Sequence, residues 1–210
     1  REKEVPILGV IINKVLPQKI AKVKRYGGRK LSQMGIRLLG VLPYDKSLAN
    51  PIMETIQHAV NGLVLYNEDS LDNKVENIVS GSLIEKKEFG SLKDLLLIVN
   101  YRRLDAAIES IQDITHRHGL GYSPLSGIII NGEGDFVPTF IDHFRCLDYI
   151  KAHRIPVVAP SLDTYGSAVK ISHIEVKINT RTPWKSDRAI EMIRNHVDLK
   201  PVLQRVMAKR

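Results

Sequence analysis

Residues 95–107 read LLLIVNYRRLDAA. Five apolar residues in succession, Leu95 to Val99, are too few for a good helix and show no polar alternation. That is the pattern of a strand buried on both faces, as in a parallel sheet covered by helices. Asn100, Tyr101, Arg102, Arg103 and Asp105 follow at its carboxyl end, and then an amphipathic stretch with Ala107, Ile108, Ile111 and Ile114 at helical spacing. Ligands of open α/β sheets lie at the carboxyl ends of the strands, so if the chain binds a small anion, this is where it is expected.

Working outward, the same βα rhythm returns twice. Residues 127–130 form a strand ending in the turn Asn131-Gly132-Glu133-Gly134, followed by a helix over about 140–152. Residues 155–159 form a third strand, and PSLDTYGSAVKI then leads into a helix with Thr164 or Ser167 near its start. Three such units imply a parallel sheet with right-handed crossovers. Residues 187–196 and 199–208 read as helices, and 71–80 as a helix or short amphipathic segment.

The first 62 residues read as β-α-β-α. VPILGVIINK, residues 5–14, is a buried strand, and IRLLGVL, residues 36–42, is a second one closed by Pro43. Between them a lysine-rich, solvent-facing helix is expected around a break at Gly27-Gly28. A further helix, IMETIQHAV, takes Asn50 as its N-cap and stops at Asn61-Gly62. The expected fold class is therefore α/β, with parallel sheets built from βα units. The expected domains are 1–65, 70–183 and a helical tail at 184–210.

Composition narrows the setting. The chain has 210 residues, 43% hydrophobic and 26% charged, which is globular. No run of about 18 apolar residues is present. One cysteine, Cys146, excludes an internal disulfide and suits a reducing, cytoplasmic location. The formal charge is +8, but residues 1–35 carry +7 and 199–210 carry +4, leaving −3 for the middle. Basicity confined to the two ends does not make a global nucleic-acid footprint, and solvated helix faces or a partner surface account for it better.

Two blocks carry a resemblance. GVIINKV…MGIRLLGVLPYDKSLANPIMETI is similar to the C-terminal end of the P-loop fold of dethiobiotin synthetase and cobyrinic acid a,c-diamide synthase. LLLIVNYRRLDAAI…SGIIINGE…IPVVAPSLDTYGSAVKI resembles the DRTGG domain, and the two occur together in the N-terminal region of long bacterial phosphotransacetylases. The family's glycine before the arginine is replaced by Tyr101 or Asn100, its TGG by Asn131-Gly132-Glu133, and its DT survives as Asp163-Thr164. No G-x-x-x-x-G-K-[ST] occurs, so ATP and Mg²⁺ would belong to a parent protein whose P-loop half lies upstream of Arg1.

The resemblance implies a regulatory or ligand-sensing module for a nucleotide or small anionic metabolite, expected as a homodimer, with an acyltransferase domain or protein as partner. Its alternative is a fragment of an ATP-dependent ligase or amidotransferase. Arg102 and Arg103 read as oxyanion clamps and Asp105 as a hydroxyl acceptor, or as local pairs and a helix cap. Asn131 and Gly132 read as close backbone approach to a ligand or as a turn. Asp163 and Thr164 share that crevice or cap a helix. Asn13 and Pro43 correspond to positions around the adenine ring, or are a strand-end cap and a turn. The histidines lack ligand spacing, and no catalytic constellation or metal set is expected.

Overall fold

The structure, a computed structural model, describes residues 7–81, 93–132, 143–178 and 180–207. It is an α/β fold, as the apolar runs require. The chain forms two compact units, one of residues 50–177 and one that joins residues 1–49 to 178–210.

The 50–177 unit is built on a five-stranded sheet. In chain order its strands are β3 (Leu63–Tyr66), β4 (Asn77–Ser80), β5 (Leu95–Asn100), β6 (Leu125–Asn131) and β7 (Val157–Ala159), arranged β3-β7-β6-β5-β4. β4, β5, β6 and β7 run parallel, and β3 pairs antiparallel with β7 at one edge. The run at 95–99 is apolar throughout because both faces are covered. Leu95, Leu97 and Val99 pack with helices α4 (Leu104–Arg117) and α5 (Leu147–Ala152). Leu96 and Ile98 pack with α3 (Met53–Val60) and α6 (Thr164–Ser172) on the other face. Each fully buried Leu or Ile stabilises by about 1.5–3 kcal/mol relative to exposure.

Two expectations for this unit change, and one strand is new. Residues 77–80 are a strand rather than helix, because they add to β5 in parallel register and put Val79 into the core. Residues 63–66 also form a strand, held by long-range pairing to β7. Asn50 does not cap α3. Ile52 occupies the N-cap position, and the helix's first N–H groups donate to backbone instead, Met53 N to Asn73 O (2.9 Å) and Glu54 N to Leu71 O (2.8 Å). The stop at Asn61 is as expected, with the left-handed φ of 49° that asparagine tolerates. Helix α5 begins only at Leu147; residues 133–142, which include Glu133, Gly134 and the start expected near residue 140, lie outside the described residues.

The other unit holds a two-stranded parallel sheet, β1 (Val10–Val15) and β2 (Leu38–Pro43), joined by α1 (Ile20–Gln33). The expected break at Gly27-Gly28 is absent, and α1 passes through both glycines. Their role is proximity to the sheet: a Cβ on Gly27 would sit 3.3 Å from Ile12 Cδ1, and one on Gly28 3.4 Å from Leu38 Cδ2. Residues 178–210 complete this unit. Val197 bridges antiparallel to Gly40, Asp198 N donates to Leu39 O (2.7 Å), and Arg37 pairs with Asp198 at 2.8 Å. Only glycine fits at position 40, since a Cβ there would lie 2.4 Å from His196 O and 2.9 Å from Val197 Cα.

Helix α7 (Pro183–His196) also packs within this unit. Its fully buried Lys185 donates from Nζ to Leu48 O (3.2 Å) in the short helix α2 (Lys46–Ala49), and Arg188 pairs with Asp45 at 2.6 Å. The Asp45 carboxyl is held below its ordinary range, chiefly by the Ser47 hydroxyl and further by Arg188. Helix α8 (Lys200–Met207) follows.

Candidate functional site

The parallel strands β5, β6 and β7 bring their carboxyl ends to one edge, with Asn100 in register with Asn131. After β6 the chain supplies α5 to one face of the sheet; after β7 it supplies α6 to the other. Connections that part to opposite faces leave a crevice between two strand ends, where open α/β sheets bind ligands.

Asn131 lies at that divergence and is 1% exposed. Alternation along β6 turns it toward the α6 face. Its Nδ2 donates to Leu162 O (2.5 Å) and to Ser167 Oγ (3.0 Å), tying the end of β6 to the loop and first turns after β7. Its Oδ1 is buried and accepts no hydrogen bond among the described residues. A buried acceptor without a donor costs about 1–3 kcal/mol, so it calls for a function.

The expected site residues do not all converge. Asp163 is the N-cap of α6, accepting from Gly166 N at 2.7 Å, and Thr164 is the first helical residue. Its carboxylate already supplies the negative charge that the helix N-terminus favours. Asn100 Oδ1 accepts from Arg102 N (3.0 Å), and Arg102 Nε donates to Tyr101 Oη (3.0 Å), folding that guanidinium over its neighbour's ring. Arg103 is exposed at the N-cap of α4, with no ion pair among the described residues. Gly132 is half-buried next to Asn131.

Asp105 belongs to the opposite face. It accepts from Cys146 N (2.9 Å) and faces Arg145, whose guanidinium also reaches Glu109 at 3.0 Å. It thus ties α4 to the start of α5. Burial, reinforced by this carboxylate, pushes the Cys146 thiol up to about 12, so it is inert as a nucleophile. Asn13 and Pro43 lie in the other unit, near the ends of β1 and β2; Asn13 is exposed and its Oδ1 accepts from Lys14 N (2.8 Å).

Ser167 was the residue hardest to foresee, since its partner Asn131 is 36 positions away. At the amino edge of the sheet, a separate cavity of about 280 Å³ is lined by Gln112, His116, Tyr122, Tyr149 and His153, among others. There Tyr149 Oη donates to Ser123 Oγ (2.8 Å), and burial raises its phenol above the ordinary value. No group of three or more His, Cys, Asp or Glu able to hold a metal occurs among the described residues. No helix there is long and apolar enough to cross a membrane.

Fold and site together define an α/β protein with a mainly parallel sheet and polar residues gathered at its carboxyl edge. No family model matches the chain, and no solved structure matches it.

Proposed function

We propose that the 50–177 unit is a ligand-sensing module whose crevice takes a nucleotide or small anionic metabolite. The observation that supports this best is Asn131: a buried carboxamide whose oxygen meets no donor among the described residues, placed where the connections of β6 and β7 part. A ligand bearing a hydrogen-bond donor would satisfy that oxygen, and the exposed guanidinium of Arg103 would attract an anionic group.

The resemblance to DRTGG domains and to the N-terminal region of phosphotransacetylases is part of the same proposal. It extends to a homodimer, an acyltransferase partner, a cytoplasmic location and a P-loop half in the parent protein. In this reading, ligand occupancy alters the Asn131–Ser167 tie and so the position of α6.

Isothermal titration with ATP, AMP, acetyl-CoA and pyruvate tests the reading. One of them should bind saturably, Arg103→Ala should weaken it by roughly tenfold with the fold retained, and Asn131→Leu should abolish it. Uniform silence from all four ligands would overturn the proposal.

A further inference from the structure

The two basic ends of the chain, separated by residues 36–198 in sequence, belong to one compact unit. Residues 1–49 and 178–210 together hold 19 Lys/Arg and 6 Asp/Glu, a net +13; residues 50–177 hold 12 and 17, a net −5. The overall +8 is therefore the sum of a strongly basic unit and an acidic one.

Within the basic unit the charge is uneven. Asp45, Glu191 and Asp198 are engaged by Arg188 and Arg37. Residues 7–35 contain Lys14, Lys19, Lys22, Lys24, Arg25, Arg29 and Lys30 and no acid. All seven are exposed, and none forms an ion pair among the described residues. Helix α1 turns Ile20, Val23, Gly27 and Leu31 inward as a half-buried seam, which leaves Lys22, Arg25 and Arg29 at i, i+3 and i+7 on the outward face with exposed Tyr26. The helix has no acidic residue in its first turn and no side-chain cap. Lys19 and Lys22 thus add to the positive end of the helix dipole instead of offsetting it.

We infer that the outward face of α1 is a binding surface for the phosphodiester backbone of a nucleic acid. A protein partner would be expected to meet an apolar centre, and a lipid surface would need outward aliphatic or aromatic wedges. This face offers unbroken positive charge with one tyrosine, the makeup of nucleic-acid interfaces. The surface recognises phosphates without reading bases, so binding is sequence-independent and salt-sensitive. It is independent of the crevice at Asn131.

The test is fluorescence polarisation on the full chain, with labelled oligo-dT and a mixed-sequence duplex, each of about 20 nucleotides per strand. Four phosphate contacts predict a log–log salt slope of about −3 to −4, so affinity should fall roughly 100-fold between about 50 and 200 mM salt. The triple variant K22E/R25E/R29E should lose at least about tenfold in affinity. K93E/R117E/K170E, which changes net charge equally in the other unit, should lose far less. The preferred oligonucleotide decides between single-stranded and duplex partners. The inference is overturned by absence of binding at low salt, by equal loss in both triple variants, or by tighter binding to phosphatidylserine vesicles or poly-glutamate than to either oligonucleotide.

Discussion

The 50–177 unit buries two apolar clusters against both faces of a five-stranded sheet and carries net negative charge. The unit of residues 1–49 and 178–210 has a two-stranded sheet and few buried apolar side chains among the described residues, namely Val15, Leu39, Val41, Met192 and Val197. It also carries +13, whose self-repulsion opposes compactness. The contrast teaches where each unit keeps its stability and its surface chemistry. One is held by burial and gathers polar side chains at the carboxyl ends of its strands; the other is held by a few close backbone contacts and ion pairs and offers charge.

Each unit contains its own reporter, which makes the contrast breakable. Cys146, the single thiol, is in the 50–177 unit, and Trp184, the single tryptophan, is in α7 of the other. The largest effect is expected at the thiol. With its value moved from 9.0 to about 12, its thiolate fraction near pH 8 is about a thousandfold below that of an exposed cysteine. Alkylation should be correspondingly slow in the native protein and rapid after denaturation. In urea, Trp184 fluorescence should change before Cys146 becomes reactive, and coincident transitions would dissolve the distinction between the units.

Ile129→Ala should cost about 2–5 kcal/mol in the second of these transitions, because its side chain is fully buried in a packed cluster. Gly40→Ala should cost about 1–3 kcal/mol in the first, since the new methyl meets backbone atoms at His196 and Val197 that cannot turn aside. Parallel urea titrations of both variants, followed by both reporters, would show whether each loss stays in its own transition.

The smallest effect concerns Asp45. Its pKa is lowered on folding, so the stability it contributes is present above the unfolded value near 3.8 and is lost as pH falls through the folded value. Its partner Arg188 is 45% exposed, so solvent screening holds the contribution below about 1 kcal/mol. Asp45→Asn should lower the neutral-pH midpoint of the Trp184 transition slightly and flatten its acid limb below about pH 4, so that variant and parent converge in acid. A variant with an unaltered acid limb would remove this carboxylate from the account.

Legibility in the sequence followed the range of the interaction. The runs at Leu95–Val99 and Ile128–Ile130 declared buried parallel strands because burial on both faces leaves no polar position. The stop at Asn61 was equally readable from a local conformational preference. Strands at 63–66 and 77–80 were not, because short segments of mixed character become strands only when β7 and β5 supply their hydrogen bonds. Gly27 and Gly28 read as a helix break because sequence alone does not show the sheet they approach.

At the candidate site, the strand-end positions Asn100, Asn131 and Asp163 were visible as polar groups following apolar runs. That Asp163 caps α6, that Asp105 turns toward Cys146, and that Asn131 meets Ser167 depended on which face each helix covers. By itself the sequence determined the α/β class, the parallel strands and the position of their polar ends, since periodicity and burial act over neighbouring residues. Only the tertiary structure decided that the two basic ends share one unit and that Asn131's oxygen meets no donor among the described residues, because charge accumulation and hydrogen-bond accounting depend on distance in space rather than along the chain.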